Sequence, residues 1–502
     1  MKKYITILSV LAASAVFADN ETFTGDQSGK SFIGESHRNS VWDGVTARGT
    51  EFSRYTTEYD TTYNSDYTNA SFRNADLTNA SFAGATMNDI DATDAIIKGA
   101  SFYNAKMNDM AILTKTKSYK DKDLSGVDLR IDAFKITKIY IFDFSGFNLT
   151  GAYLCANLYN PDNPNYTNPD GIFKYDDAII LGATMSKIAF RKEQLCSTKS
   201  YKDKMLDGIT VSETNFANID FRGVSLKNTT FSNMNLSNAN FSNANLSGAK
   251  ISWFDQSASR YAEVYSLKNA VFFNADLTNA ELSYGILENV DFRGANMTNT
   301  KIGESVSYKN TIMSDGVIKN FKADPASDIY IRKYTPVENG EIISAKIAEE
   351  DATLNGSRLM LGQGAFFEIT NGKTLTLANS SEIQIDTDLG GSTIFKVDGN
   401  AGLTFEHGTK LTVNLIGDIS EEDAYTFTAM TFEDDARIAG LEDLLKDENL
   451  FLTVLGKKFN GAWDYAIKDN NLLISINVPE PATYAAIFGA LALAFAAYRR
   501  RK

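Results

Sequence analysis

Residues that could perform catalysis are few in this 502-residue sequence, and they are widely separated. The two histidines, His37 and His407, lie in unlike segments, and the sequence contains no HExxH, GxSxG or Walker motif. The stretch NGKT at Asn371–Thr374 lacks the upstream glycine of a phosphate-binding loop and is more typical of a turn. General acid–base catalysis needs carboxylates with displaced pKa values, and the sequence offers no obvious pair. We therefore expect no enzyme activity, no catalytic residue, no cofactor and no bound metal.

The clearest chemical signals lie at the two ends of the chain, and both concern processing. The N-terminal end begins with two lysines after Met1, continues with an apolar segment over residues 4–16, and then offers small residues up to Ala18. This order is typical of a secretory signal peptide, because signal peptidase reads small residues just before the bond that it cleaves. We predict a signal peptide over residues 1–18, with cleavage between Ala18 and Asp19.

The C-terminal end combines a short motif, an apolar stretch and a basic tail. The apolar stretch, residues 482–498, is just long enough to cross a bilayer as a transmembrane helix. Cations that follow such a span favour the cytoplasmic side of the membrane. The flanking residues are the motif Val478, Pro479, Glu480 and Pro481 and the tail Arg499, Arg500, Arg501 and Lys502.

This arrangement resembles the PEP-CTERM sorting signal of Gram-negative bacteria, and the resemblance covers residues 478–502. In that family an exosortase in the inner membrane recognises the Pro-Glu-Pro motif and cleaves near it. The resemblance implies export across the inner membrane, a membrane-anchored precursor, and a mature protein at the cell surface or outside the cell. A plain C-terminal membrane anchor is the alternative interpretation, in which the tail is kept.

Between these ends, a large part of the sequence has an unusual period of five residues. From Tyr67 onward a large apolar residue returns at every fifth position, as at Phe72, Leu77 and Phe82, with a small or apolar residue two positions before each. A helix would spiral such residues around its axis, and a strand would place them alternately on opposite faces. Either structure would expose half of the apolar set, so the chain must bend once in every five residues.

This pattern is similar to the A-(D/N)-L-x-x motif of the pentapeptide-repeat family, which forms a right-handed quadrilateral β-helix with four pentapeptides per coil. The motif recurs in five runs, and distortion is expected in the second, where Lys122 and Asp132 fall on inward positions. The resemblance implies a β-helix of this kind over residues 69–320. We assign residues 19–68, which are polar and rich in tyrosine, to an N-terminal cap or entry segment.

Two breaks in the repeat share the hexapeptide KSYKDK, at Lys117–Lys122 and Lys199–Lys204. We interpret them as loops that shift the phase of the repeat and lay a tyrosine over the coil. A basic, aromatic patch that binds a polyanion is the alternative. The stretch Tyr159–Gly171 holds three prolines and is predicted to be an inserted surface loop.

Beyond the repeat, apolar and polar residues alternate, which predicts strands. Residues 321–340 hold two prolines and no periodicity, and we assign them to a linker. Residues 341–477 are assigned to a second all-β domain, either a looser β-solenoid or a sandwich, with one helix predicted over Glu433–Glu448 from its apolar spacing. The chain as a whole is therefore predicted to be all-β, with a C-terminal transmembrane helix.

Composition limits the classes of partner. The chain has 63 acidic and 49 basic residues, for a net charge of −14. So acidic a chain is not expected to bind nucleic acid, because such binding depends on neutralising phosphates. The two cysteines, Cys155 and Cys196, cannot make a disulfide framework, and both a single bridge and two free thiols stay open.

These signals favour an exported cell-envelope protein with a structural or interaction role at the surface or in the extracellular matrix. Its processing partners would be signal peptidase and exosortase, its transient location the inner membrane, and a further partner an envelope polysaccharide. The alternative is an envelope protein that binds or cleaves carbohydrate, with a groove lined by Tyr55, Tyr59, Tyr63 and Tyr67, unless these tyrosines pack as a cap on the first coil. An intracellular DNA mimic, the role of acidic pentapeptide-repeat proteins that protect gyrase, is disfavoured by the predicted signal peptide.

Overall fold

The fold is known from a computed structural model, which places both predicted processing segments outside its described residues. The predicted surface loop at Tyr159–Gly171 and the predicted transmembrane helix also lie outside them. Within the described part of the chain, no helix is both long enough and apolar enough to cross a membrane. The described residues are 20–56, 62–63, 65–109, 111–130, 142–154, 173–185, 190–252, 266–283, 285–322, 325, 328–417, 424–446, 448–459 and 461–477.

The first half of the chain is a stack of coils built from very short strands and bridges. Its helices are α1 (Ile112–Lys115), α2 (Lys117–Lys120), α3 (Lys192–Ser197) and α4 (Lys199–Lys202). Its strands are β1 (Tyr55–Thr56), β2 (Thr62–Tyr63), β3 (Phe142–Asp143), β4 (Tyr153–Leu154), β5 (Phe173–Lys174), β6 (Thr184–Met185), β7 (Thr210–Ser212), β8 (Thr230–Ser232), β9 (Lys250–Ser252), β10 (Glu281–Ser283), β11 (Gly285–Glu288), β12 (Lys301–Ile302), β13 (Val306–Lys309), β14 (Thr311–Ile312) and β15 (Ile318–Lys319).

Parallel bridges join positions that are twenty residues apart in the regular part of this stack. The partners include Asp66 with Thr86, Ser71 with Asp91, Asp76 with Ile96 and Ser81 with Ser101. Four bridge positions, five residues apart, therefore fall within each coil. The residue after each bridge points inward and is buried, as Tyr67, Phe72, Leu77 and Phe82 are. The five-residue period thus reflects one bend per pentapeptide.

The corners explain the polar residues of the motif. In the pentapeptide that includes Asp76, the carboxylate accepts hydrogen bonds from the backbone N–H of Thr78 at 3.1 Å and from its hydroxyl at 2.6 Å. The next residue, Asn79, has a φ of 59°, in the left-handed region that asparagine tolerates better than most residues. The aspartate starts the turn, the leucine after it points inward, and the asparagine reverses the chain direction.

The interior of the stack is one continuous apolar cluster that runs from Trp42 to Ala295. Aromatic rings from successive coils lie face to face along it. Phe241 stacks on Phe272 with 4.6 Å between ring centroids, and Phe272 stacks on Phe292 at 4.9 Å. Each buried large side chain contributes about 1.5–3 kcal/mol, so the columns account for much of the stability of the stack.

The stack begins earlier than the sequence suggests. Parallel bridges already join Thr22 to Val41 and Asp26 to Thr46, inside the segment assigned to a cap. The antiparallel hairpin of β1 and β2 then interrupts the coil. Across it, bridges such as the one between Glu51 and Ser81 span thirty residues instead of twenty. The hairpin inserts at a corner, so the coil resumes in phase but the repeat is masked in the sequence.

The second half of the chain is a different all-β unit. Its helix is α5 (Leu441–Lys446). Its strands are β16 (Asp328–Ile331), β17 (Ala345–Ile347), β18 (Ala352–Asn355), β19 (Arg358–Leu361), β20 (Phe366–Ile369), β21 (Thr374–Ala378), β22 (Glu382–Thr387), β23 (Ile394–Val397), β24 (Gly402–Phe405), β25 (Lys410–Leu415), β26 (Tyr425–Phe432), β27 (Arg437–Ala439), β28 (Leu450–Val454), β29 (Lys457–Lys458), β30 (Ala462–Lys468) and β31 (Asn471–Asn477).

These strands pair in parallel with the third strand that follows, as β16, β19, β22, β25 and β28 do in one sheet. The sets β17, β20, β23, β26 and β18, β21, β24, β27 form the two other sheets. This pairing is that of a solenoid with three strands per coil, rather than a sandwich. Antiparallel strands close it, because β29 pairs with β28 and the β30–β31 hairpin pairs with β26.

The predicted helix over Glu433–Glu448 is wrong in its first half. Arg437–Ala439 forms β27, which pairs in parallel with β24, and the helix covers only Leu441–Lys446. Gly440 separates the two with a φ of 76°, and a Cβ there would lie 1.9 Å from the carbonyl oxygen of Phe405. The backbone therefore turns sharply where the sequence pattern suggested a continuous helix.

A buried ion pair joins the stack to the segment that follows it. The side chains of Asp291 and Arg293 are 1% and 0% exposed, and Nη2 lies 2.7 Å from Oδ2. The same guanidinium donates to the carbonyl oxygens of Arg332 at 2.8 Å and Ile343 at 3.3 Å. Arg332 lies inside the predicted linker, directly after β16, and Ile343 lies just beyond it, so both are fixed to one coil of the stack.

The Phe221→Asp variant tests the inward assignment in the stack. Phe221 is fully buried and stacks on Phe241, so an aspartate there would be an unpaired charge in the core. We expect the free energy of unfolding to fall by about 4 kcal/mol or more, measured by urea denaturation of the full chain. The control Lys227→Asp changes an exposed residue of the same coil and should leave the midpoint nearly unchanged. A Phe221→Asp midpoint equal to that of the parent would refute the assignment.

Two copies of the tripeptide Asp-Phe-Arg allow a matched test of the junction. Asp291→Ala should cost about 3–5 kcal/mol, because it leaves the Arg293 guanidinium buried without its counter-ion. Asp220→Ala removes the equivalent partner of Arg222, where both side chains are exposed, and should cost less than about 1 kcal/mol. Thermal unfolding of both variants measures the difference, and equal losses would contradict a special role for the buried pair.

Candidate functional site

The residues predicted to carry the processing chemistry lie outside the described residues. They are Ala18 and Asp19, Val478, Pro479, Glu480 and Pro481, and Arg499, Arg500, Arg501 and Lys502. Cys155 also lies outside them, whereas Cys196 is partly buried against the core of the stack.

The histidines do not come together. His37 is buried at the N-terminal end of the stack, with its ring edge-on to Trp42 at a centroid distance of 6.0 Å. Its Nε2 atom is 3.0 Å from Oε2 of Glu35, and its Nδ1 atom is 3.3 Å from Oε2 of Glu21. His407 lies in an exposed turn of the solenoid. The first histidine therefore closes the end of the apolar core.

The two KSYKDK breaks fold into the same structure, which is a short helix rather than a loop. Thr116 caps α2 by accepting a hydrogen bond from the N–H of Tyr119 at 3.2 Å, and Thr198 caps α4 in the same way for Tyr201 at 3.1 Å. The Tyr201 hydroxyl donates to the carbonyl oxygen of Asp220 on a neighbouring coil, and burial raises the pKa of this phenol. The tyrosines do lie over the coil, as the sequence predicts.

Four of the six lysines in these breaks are paired with carboxylates. Lys199 lies 2.6 Å from Asp203, and Lys202 lies 2.8 Å from Asp177. Lys117 and Lys120 have the same arrangement with their own aspartates in the first break. Lys122 instead donates to the carbonyl oxygen of Ser145 at 2.9 Å. Because most of their cations are already engaged by the protein itself, the two breaks offer little of the open basic surface that a polyanion would need.

The outer surface of the stack carries ladders of amides. At one corner, each asparagine donates through Nδ2 to Oδ1 of the asparagine on the coil before it. The distances are 3.1 Å from Asn269 to Asn238, 3.0 Å from Asn289 to Asn269, and 3.2 Å from Asn310 to Asn289. Parallel bridges also place Asp220 beside Asn240 and Asn215 beside Asn235 on successive coils. These contacts tie successive coils together and are structural.

A cleft of about 920 Å³ lies on the outer side of the solenoid, against β22, β25 and β28. Small-molecule sites commonly have volumes of about 300–1,000 Å³, so the cleft is large enough for a ligand. Four aromatic side chains line it: Phe451 on β28, Phe459 after β29, and Trp463 and Tyr465 on β30. Phe451 and Tyr465 are exposed, so their rings are available to a ligand.

Polar side chains form the floor of the cleft. Gln384 of β22 and Thr412 and Asn414 of β25 point outward from neighbouring strands. Lys410 and Lys458 add positive charge at its wall. Aromatic faces beside amides and hydroxyls match a ligand that has both C–H faces and hydroxyl groups.

The carboxylates of the same sheet face are poorly placed for acid–base catalysis. Glu382 and Asp386 are four residues apart on β22, which puts their Cα atoms about 13 Å apart. Glycosidases place their two carboxyl groups about 5–10 Å apart. The Thr412 hydroxyl donates to Glu382, and the amides of Gln384 and Asn414 donate to Asp386 at 2.8 and 3.0 Å. Both carboxylates are therefore already hydrogen-bonded to neighbouring side chains of the sheet face.

The tyrosine groove predicted near the N-terminus does not form as expected. Tyr67 is fully buried in the core of the stack, in edge-on contact with Phe52 at 5.4 Å. Tyr55 and Tyr63 lie on the β1–β2 hairpin as cross-strand partners, and Tyr59 lies outside the described residues. Tyr67 points inward because it occupies the position after a bridge.

Comparison with known proteins supports the repeat assignment. A family model for pentapeptide repeats (8 copies) matches residues 68–109, 214–252 and 267–305, so the chain contains pentapeptide repeats. Among curated proteins, no sequence is significantly similar to this chain.

Two solved structures are among those to which this chain is similar. HetL is described as a pentapeptide repeat protein. HetL, involved in heterocyst differentiation regulation in the cyanobacterium Nostoc, is 16% identical, with 62% of this chain and 98% of HetL covered and a TM-score of 0.14. Trypsin-treated QnrB1, a plasmid-mediated fluoroquinolone resistance protein, is 14% identical, with 57% of this chain and 89% of QnrB1 covered and a TM-score of 0.14.

Proposed function

We propose that this chain, with its pentapeptide repeats, is an exported cell-envelope protein that acts as a structural or interaction protein at the surface rather than as an enzyme. The observation that carries the proposal is the order of three parts in residues 478–502: the Pro-Glu-Pro motif, an apolar span and a basic tail. In this proposal, signal peptidase removes residues 1–18, and exosortase processes the C-terminal signal in the inner membrane. The domain boundaries given above and the transmembrane helix belong to the same proposal.

The form of the stack suits such a role. We propose that its coils have the right-handed, four-sided form of the pentapeptide-repeat β-helix, in keeping with four bridge positions per coil. Such a rod has a dry core and polar outer faces, and several of its cations are paired with its own carboxylates, as Arg48 is with Asp76. A rod of this kind would hold the binding partners of its outer faces at a distance from the C-terminal membrane segment.

Replacing Pro479, Glu480 and Pro481 with alanines tests the sorting proposal. In the native host, we expect the parent protein outside the inner membrane with a mass that lacks the tail. The variant should stay in the inner membrane with its C-terminus intact, because the recognition motif is gone. Fractionation with intact-mass measurement distinguishes these states.

A matched control for this experiment replaces Glu338, a residue of the predicted linker, with alanine. Like the triple variant, this control removes one glutamate carboxylate, but outside the sorting motif, so it should be sorted like the parent. If the parent and the triple variant both keep the tail and both stay in the inner membrane, the chain is a plain anchored protein and the sorting proposal fails.

The aromatic cleft favours a second candidate function, which is binding of an envelope polysaccharide. Sugars present C–H faces that pack on aromatic rings and hydroxyl groups that bond to amides, and the cleft offers both. The spacing of Glu382 and Asp386 supports binding without cleavage. This function is compatible with the first, since a surface protein that holds polysaccharide would act as a matrix component.

The Tyr465→Ala variant tests the cleft. We expect its affinity for polysaccharide purified from the surface of the native host to fall about fivefold, as one lost aromatic contact is worth about 1 kcal/mol. The matched control is Tyr103→Ala, which removes another exposed tyrosine, on the stack and away from the cleft. Binding by the full chain that is insensitive to Tyr465→Ala, or equally sensitive to Tyr103→Ala, would rule out the cleft as the binding site.

A further inference from the structure

Strand β30, Ala462–Lys468, is the outermost strand of a six-stranded sheet. Its sheet has the order β17, β20, β23, β26, β31, β30, so β30 pairs with β31 on one side only. Among the residues that the structure describes, no strand pairs with its other side. An edge strand of this kind presents a row of backbone N–H and C=O groups that another strand can bind.

The hairpin geometry identifies which backbone groups face the open side. Lys468 is paired with Asn471 across a two-residue turn, in which Asp469 and Asn470 have φ values of 48° and 57°. Such turns close on a hydrogen-bonded pair, so the even-numbered residues of β30 bond to β31. The backbone groups of the odd-numbered residues therefore point outward. In agreement, the N–H of Tyr465 donates to the carboxylate of Asp464 at 2.8 Å.

Alternate side chains of β30 lie on the same face of the sheet as the buried side chains of β31, but they extend past the covered core. Trp463, Tyr465 and Ile467 are cross-strand partners of residues on β31 that are fully buried. Yet Tyr465 is 39% exposed and Ile467 is 51% exposed. The apolar face of the sheet therefore continues from the buried strand β31 onto β30, where it is exposed at the open edge.

We propose that β30 pairs antiparallel with β30 of a second copy of this chain, about a two-fold axis at Ala466. In this register, Asp464 of each copy lies opposite Lys468 of the other, and Tyr465 lies opposite Ile467. Both charge pairs occupy non-hydrogen-bonded positions, where cross-strand side chains are closest. The strand is therefore complementary to itself in charge and in apolar contacts.

Neighbouring registers with the same backbone pattern are less favourable. A two-fold axis at Asp464 would place that carboxylate opposite its own copy, which is repulsive. An axis at Tyr465 would place Asp464 opposite Ala466 and Lys468 opposite Ala462, so neither charge would have a partner. The positions of the two charges thus select one register.

The paired arrangement has a geometric consequence for the cleft. A two-fold axis perpendicular to the sheet keeps the odd-numbered side chains of both copies on the same face. Because Trp463 and Tyr465 line the cleft, the two clefts would open on the same side of the pair. The inference itself does not depend on what the clefts bind.

A charge-exchange experiment tests the pairing in the full chain, purified in detergent and measured by sedimentation. The parent should form dimers. Asp464→Lys alone and Lys468→Asp alone should each weaken self-association about tenfold or more, because like charges then face each other twice. An equimolar mixture of the two single variants should dimerise, since each supplies the charge that the other lacks. The double variant Asp464→Lys with Lys468→Asp should also dimerise by itself.

The control Lys301→Asp makes the same charge change at an exposed position of the stack and should leave dimerisation unchanged. Equal melting temperatures of all variants exclude unfolding as the cause. A monomeric parent, or single variants that dimerise like the parent, would overturn the inference. So would a mixture that stays monomeric. Because Asp464 and Lys468 point away from the cleft face, loss of dimers would be separable from loss of polysaccharide binding by the Tyr465→Ala variant.

Discussion

Each turn of the stack depends on a corner that returns every five residues. The corner needs one residue with a positive φ, and asparagine, aspartate or glycine fills that position throughout most of the stack. A side-chain oxygen at the start of the turn accepts a hydrogen bond from the backbone N–H two residues later, which would otherwise be unpaired. Asp76 accepts from Thr78 in this way. Once the corners are fixed, the backbone determines which side chains between them point into the core and which point to solvent. The aromatic columns, the amide ladders and the parallel bridges all follow from that constraint.

The repeat could be predicted from the sequence because its code is local. Phe72, Leu77 and Phe82 reveal the inward positions by spacing alone, and the structure buries all of them. The alternating strands of the second half were predictable for the same reason. The KSYKDK helices were harder, since a four-residue helix has little periodicity and is defined mainly by its threonine cap and by the tyrosine that packs across to another coil.

Other features depend on contacts between distant residues, which the sequence does not display. Residues 437–439 become a strand because β24 offers an edge about 35 residues away in the chain, although their apolar spacing is that of a helix. The cleft gathers side chains from β22, β25, β28 and β30, none of which is unusual alone. These side chains share an outward position on neighbouring strands. Recognising this from the sequence would require knowing the register in which the strands pair. The burial of Asp291 and Arg293 depends likewise on a segment that returns to the stack about 40–50 residues later.

The hairpin of β1 and β2 shows how freely such a coil accepts extra chain. Ten additional residues lie between Glu51 and Ser81, and smaller additions lengthen the bridges from Ser101 to Asp128 and from Asp123 to Asn148. In each case the parallel bridges resume beyond the added residues. What the coil conserves is the path around the core rather than the number of residues. Over evolutionary time, such a scaffold could therefore acquire new surface loops by insertion without any compensating change in its interior.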